Sequence, residues 1–152
     1  MKSKIGLALA LALFGLGFLP CSASAADITE CGASQGWSYY FPSGGLAGEM
    51  TKDGLTNGRI LLTITGDDAD IIYKDVAGTR SAVADGGKIF TQGSLKLGYI
   101  QVFVLYSGHL TLEHYLFQLD SKGTGSVAWG QSAGARPLVN KASLFVAQCK
   151  KP

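Results

Sequence analysis

The chain has 152 residues, 47% of them hydrophobic and 16% charged, with a formal net charge of +2. That positive excess is Lys2 and Lys4; beyond them 11 basic residues face 11 acidic ones. A neutral remainder without a basic cluster argues against nucleic acid and anionic membrane surfaces as partners.

The N-terminus reads as a signal peptide. Lys2 and Lys4 precede an apolar run at residues 5–19, which is short for a membrane span. Pro20 breaks it, and Ala23-Ser24-Ala25 offers the small-x-small pattern that a signal peptidase admits. Cleavage after Ala25 is expected, with Ala26 as the neighbouring alternative. Lipidation at Cys21 has a poor lead-in, because Phe18-Leu19-Pro20 lacks small residues. Removing residues 1–25 leaves 127, enough for a single domain with a sizeable core, residues 26–152. No membrane insertion is expected after cleavage. Cys21 leaves with the signal, and Cys31 and Cys149 remain as one expected disulfide in an oxidising compartment.

Short runs rich in Ile, Val, Leu, Tyr, Phe and Thr then alternate with turn signals. Strands are expected at 37–41, 46–51, 59–65, 70–75, 79–83, 88–91, 98–106, 110–120, 125–131 and 143–148. Within the fifth run, residues 80–85 suit a helical turn as well. Gly- and Asp-rich dipeptides such as Asp53-Gly54, Asn57-Gly58 and Gly86-Gly87 separate the runs. The expected fold is all-β, a single antiparallel β-barrel or β-sandwich of about 8–10 short strands.

The clearest hairpin spans residues 98–119. A two-residue turn at Ser107-Gly108 or Gly108-His109 sorts its side chains into the same two faces. One holds Tyr99, Gln101, Phe103, Leu105, Leu110, Leu112, His114 and Leu116. The other holds Ile100, Val102, Val104, Tyr106, His109, Thr111, Glu113 and Tyr115. The first is the more apolar and is expected inside, where Gln101 and His114 would meet as a polar spot in a cavity. Both histidines of the chain lie here beside Glu113, which raises metal binding. However, His109 and Glu113 are separated by roughly 13 Å along a strand, and His114 faces the opposite way from Glu113. No metal and no other cofactor is expected, since ligands must all approach one ion to about 2 Å.

Gly32-Ala33-Ser34-Gln35-Gly36 fits the G-x-S-x-G pattern of serine hydrolases. The strand-to-helix elbow that gives the pattern its meaning is missing from the expected elements, so no catalytic residue is assigned. Trp37, Tyr39 and Phe41 alternate onto one face. Such stripes serve as core, or as stacking surfaces for a ligand. Trp129 is open to the same two readings. The acidic turn at Asp67, Asp68 and Asp70 lacks the spacing of a calcium loop.

Three segments carry a resemblance: Glu113-His114-Tyr115-Leu116-Phe117, Val127-Ala128-Trp129, and the run Lys141-Ala142-Ser143-Leu144-Phe145-Val146-Ala147-Gln148-Cys149. Together they resemble small exported bacterial β-domain proteins of unassigned function. The resemblance lies mainly in the C-terminal third and implies an export context and a closing strand that ends in cysteine. Ser132-Ala133-Gly134-Ala135-Arg136 is also similar to the Ser-Gly-Ala-Arg-Tyr loop of periplasmic lysozyme inhibitors, which are small disulfide-bonded β-barrels. An inserted alanine and Pro137 in place of the tyrosine depart from that loop.

The sequence therefore reads as a non-enzymatic binding or interaction module of the bacterial envelope, periplasmic or secreted. Its partner would be a small ligand or an envelope protein. The residues proposed for a cavity or binding face are Trp37, Tyr39, Gln101, His114, Trp129 and Arg136. The alternatives are an inhibitor of an envelope-directed hydrolase and, third, a serine hydrolase using Ser34.

Overall fold

The computed structural model describes residues 26–42, 48–134 and 140–152. The expected signal peptide and Arg136 lie outside them. The described residues form eleven strands and two 3₁₀ turns, with no α-helix. The strands are β1 (Ala26–Cys31), β2 (Ser34–Tyr40), β3 (Glu49–Leu55), β4 (Arg59–Thr65), β5 (Asp68–Asp75) and β6 (Gly78–Ser81). They continue as β7 (Lys88–Ser94), β8 (Tyr99–Tyr106), β9 (Thr111–Leu119), β10 (Gly125–Ala133) and β11 (Lys141–Lys150).

All eleven belong to one sheet in the order β6-β5-β4-β1-β11-β10-β9-β8-β7, with the β2–β3 hairpin attached to β11. The sheet is antiparallel and curls into a half-barrel. Its fork lies at β11, whose N-terminal part pairs with β2 and whose last residues pair with β1. At the fork Cys31 lies opposite Cys149, and the two form the disulfide expected from the cysteine count. Close approach of β2 to β11 depends on Gly36. A Cβ there would run into the Leu144 carbonyl oxygen and lie 2.7 Å from Phe145 Cα.

β1 was not among the expected strands. Its Thr29 is fully buried, a place for which a polar side chain is a poor sequence signal. The hydroxyl is satisfied locally, bonding the carbonyls of Gly123 at 2.7 Å and Lys150 at 3.1 Å. The fifth run divides between both of its readings: β6 ends at Ser81, and the Asp85 N–H then donates to the Ser81 carbonyl in one helical turn.

The concave face carries the core. Ile60 and Leu62 of β4 oppose Tyr73 and Ile71 of β5. Val102, Tyr115, Trp129 and Phe145 form one transverse row across β8, β9, β10 and β11. Tyr115 and Trp129 stack at 5.8 Å, and Trp129 and Phe145 at 4.6 Å. Such stacked pairs add to the stabilisation from burial itself.

The β8–β9 hairpin corrects the expected orientation. Its register centres on Gly108-His109 as one of the two expected turns requires, with Tyr106 opposite Thr111. The connection, however, is a 3₁₀ turn over Ser107–His109 followed by Leu110 in the left-handed region, φ 46°. The two face sets persist, but the face expected inside is outside. Ile100, Val102, Val104, Thr111, Glu113 and Tyr115 are buried, whereas Leu105, Leu110 and Leu112 are exposed. Counting apolar residues misjudged the faces because Glu113 looks like a solvent-facing residue. Inside, it finds donors on β5, β9 and β10.

Candidate functional site

Glu113 stands on the inner face of β9 and is 6% exposed. A carboxylate at this depth needs donors, and the strands supply them. Gln131 is its cross-strand partner on β10 and donates from Nε2 to Oε1 at 2.9 Å. Tyr115, two residues along the same strand and hence on the same face, donates to Oε2 at 2.9 Å. Tyr73 donates a third, short hydrogen bond to Oε2. Tyr73 belongs to β5, on the opposite wall of the half-barrel, so this bond crosses the interior. Burial drives the Tyr115 phenol well above its ordinary range, which keeps it a donor.

Above this network lies a cavity of about 530 Å³. Glu113, Gln131, Trp129, Phe145, Tyr73 and Tyr106 are among the residues that line it. The charged lining comprises Asp53, Asp75, Asp85, Arg80 and Lys141. Two of these groups are cations, and each stands near an aspartate. Arg80 is 3.9 Å from Asp75, and Lys141 is 3.8 Å from Asp53. Asp53 is held further by the Ser38 hydroxyl and the Gly54 N–H, both at 2.7 Å. Burial pushes its carboxyl up, but these donors, Lys141 and Tyr40 outweigh burial and leave it below its ordinary value. The Tyr106 phenol is pushed far up, first by burial and then by the carboxylates of Glu113, Asp85 and Asp70. Trp129 is nine-tenths buried, and its indole N–H meets no acceptor among the described residues.

The residues expected to form a site are dispersed. Trp129 lies on the cavity wall. Gln101 and His114 sit on the convex face, bonded to each other at 3.1 Å, with His114 stacked on Phe103 at 4.4 Å. The cross-ladder bond is therefore present, but the cavity position expected for the pair is not. Trp37 is 55% exposed on the convex face of β2, where it and Tyr39 border a shallow apolar groove with Met50 and Leu144. Gly32 and Ala33 link β1 to β2, and Ser34, Gln35 and Gly36 are the first residues of β2, so the G-x-S-x-G stretch leads into a strand and not into a helix. The Ser34 hydroxyl is buried without a hydrogen-bond partner among the described residues. No group of three His, Cys, Asp or Glu side chains converges on a metal position among the described residues.

Glu113, Tyr73, Tyr106 and Gln131 were not expected to form a group. A usable signal existed in the alternation of β9, which puts Glu113 on the face of Tyr115 and Phe117. Tyr73 could not be placed there, because its partner lies 40 residues away. No protein family, curated protein or solved structure matches this chain, so the site rests on its own geometry.

Proposed function

We propose that this chain is an exported, non-enzymatic binding module and that its ligand site is the concave interior of the half-barrel. The observation that carries this reading is a cavity of about 530 Å³ over a buried, hydrogen-bonded carboxylate. Its size falls within the range of small-molecule sites, roughly 300–1,000 Å³. Aromatic walls with a few convergent polar groups are the lining such sites use. The indole N–H of Trp129, which meets no acceptor among the described residues, adds a donor on the same wall. Export rests on the Lys-apolar-Ala-x-Ala series of the N-terminus, so the working chain would begin at Ala26 or Asp27 and function in the periplasm or outside the cell.

Two tryptophans make the test internal, because Trp129 lines the cavity and Trp37 faces away from it. A mixture of aromatic amines, alcohols and acids added to the ¹⁵N-labelled exported protein should shift the indole resonance of Trp129 and leave that of Trp37 in place. Shifts confined to Trp37, or no shift at all, would contradict the reading.

A further inference from the structure

We propose that the convex face of β9, β10, β11 and β2 docks a second copy of this chain, forming a symmetric dimer. Strand register sets the composition of that face. One transverse row runs from β7 to β2 through Phe90, Phe103, His114, Gly130, Leu144 and Trp37. The row on one side of it brings together Leu112, Ser132, Ala142 and Tyr39. The row on the other side brings together Leu116, Ala128, Val146 and Gln35. These three rows contain no carboxylate, and their formal charges are Lys52 on β3 and Lys88 on β7, at opposite ends. Trp37, Met50, Leu144 and Val146 are each more than half exposed. A contiguous apolar face of this kind marks an interaction site, and interface centres are short of charge and rich in aromatic residues and methionine.

Reciprocity selects the second copy as the occupant. In these rows β10 presents only small residues, Ala128, Gly130 and Ser132, so it lies lower than its neighbours as a furrow. Beside it, Leu144 and Val146 of β11 stand out as a ridge. A two-fold axis running along the strands between β10 and β11 sets the ridge of each copy over the furrow of the other. Leu144 then faces Gly130, Val146 faces Ala128, and Trp37 faces His114, which is stacked on Phe103. One patch supplies both halves of the fit, as an isologous contact requires. Two convex faces meet along a strip, and the furrow gives that strip depth. Four strands about 4.8 Å apart and three rows about 7 Å apart give a footprint of roughly 400 Å² per copy. Met50 and Leu105, one on each flank, extend it. Specific interfaces begin at about 1,000 Å² in total, so the dimer is of the weak, reversible kind, with a dissociation constant on the order of 10 μM.

Sedimentation equilibrium of the exported protein from about 1 μM to about 500 μM tests this, with the two indole resonances as a second readout. The mass should rise from monomer to a dimer plateau, and the Trp37 resonance should move with concentration while that of Trp129 stays. Leu144→Glu places a charge on the ridge, and Ser132→Arg fills the furrow at an exposed position. Each should raise the dissociation constant at least about tenfold. Val76→Glu, at an exposed site in the turn between β5 and β6, should leave it unchanged. A protein that stays monomeric throughout, a dimer that Leu144→Glu and Ser132→Arg both leave intact, or open-ended association without a dimer plateau would overturn the proposal. So would a monomer whose Trp37 resonance moves only with phosphatidylcholine vesicles or a soluble oligosaccharide, since another occupant would then hold the face.

Discussion

Glu113 shows what a single buried carboxylate can organise. Its oxygens gather Tyr73, Tyr115 and Gln131 from three strands, and the Tyr73 bond spans the concave interior. Replacing it with leucine would strand three donors in a poorly solvated space. Glu113→Leu should therefore cost about 2–4 kcal/mol, read as a lower denaturant midpoint. Glu113→Gln should cost less, since the amide keeps one acceptor oxygen. The phenols of Tyr106 and Tyr115 make a second prediction. Both are raised above the ordinary value of 10.0, so the folded state disfavours their ionised form. Their contribution to stability is complete below about pH 10 and is lost as pH rises above it, because the unfolded chain then releases protons that the folded chain retains. Phenolate absorbance should show these two tyrosines titrating late, together with alkaline unfolding. Two phenols that titrate at the ordinary value in a folded protein would contradict their burial. Little of this chemistry was legible in the sequence. A lone glutamate in a strand carries the mark of an exposed residue, and donors from β5 and β10 become neighbours only through folding.

Elements were more legible than the faces they present. Glycine and aspartate punctuation located most strands, and β4 was expected with its observed limits, because turn chemistry and alternation are local. Choosing the inner face of β8–β9 required knowing how Glu113 is satisfied, which is not local. β3 was expected earlier, at residues 46–51, whereas it runs over Glu49–Leu55 and is held by pairing with β2 along its length. The β2–β11 contact yields a sharp test. Gly36 has backbone of β11 where a side chain would stand, so Gly36→Ala must push the strands apart. A loss of about 2–3 kcal/mol is expected, with exchange of the β2 amides accelerated more than those of β9. An alanine variant as stable as the parent would mean that β2 does not approach β11 this closely.

Across the whole molecule, the curl of the sheet is closed by contacts that join distant parts of the chain. The Cys31–Cys149 bridge spans 118 residues and ties the first strand to the last at the fork in the sheet. In the chain-entropy treatment such a loop contributes about 4–5 kcal/mol, so the Cys31→Ala, Cys149→Ala double variant should melt markedly lower. An unchanged melting temperature would show that the bridge does not constrain the unfolded chain. The pairing of two surviving cysteines was readable from their number, whereas the half-barrel and its cavity depend on how β11 forks. The concave interior as a ligand site is tested most directly by a crystal structure of residues 26–152 grown with the mixture of aromatic amines, alcohols and acids. Glu113 should face inward among Tyr73, Tyr115 and Gln131, with ligand density between Tyr106 and Trp129. An interior filled by protein atoms, with ligand density absent or confined to the convex face beside Trp37, would contradict it.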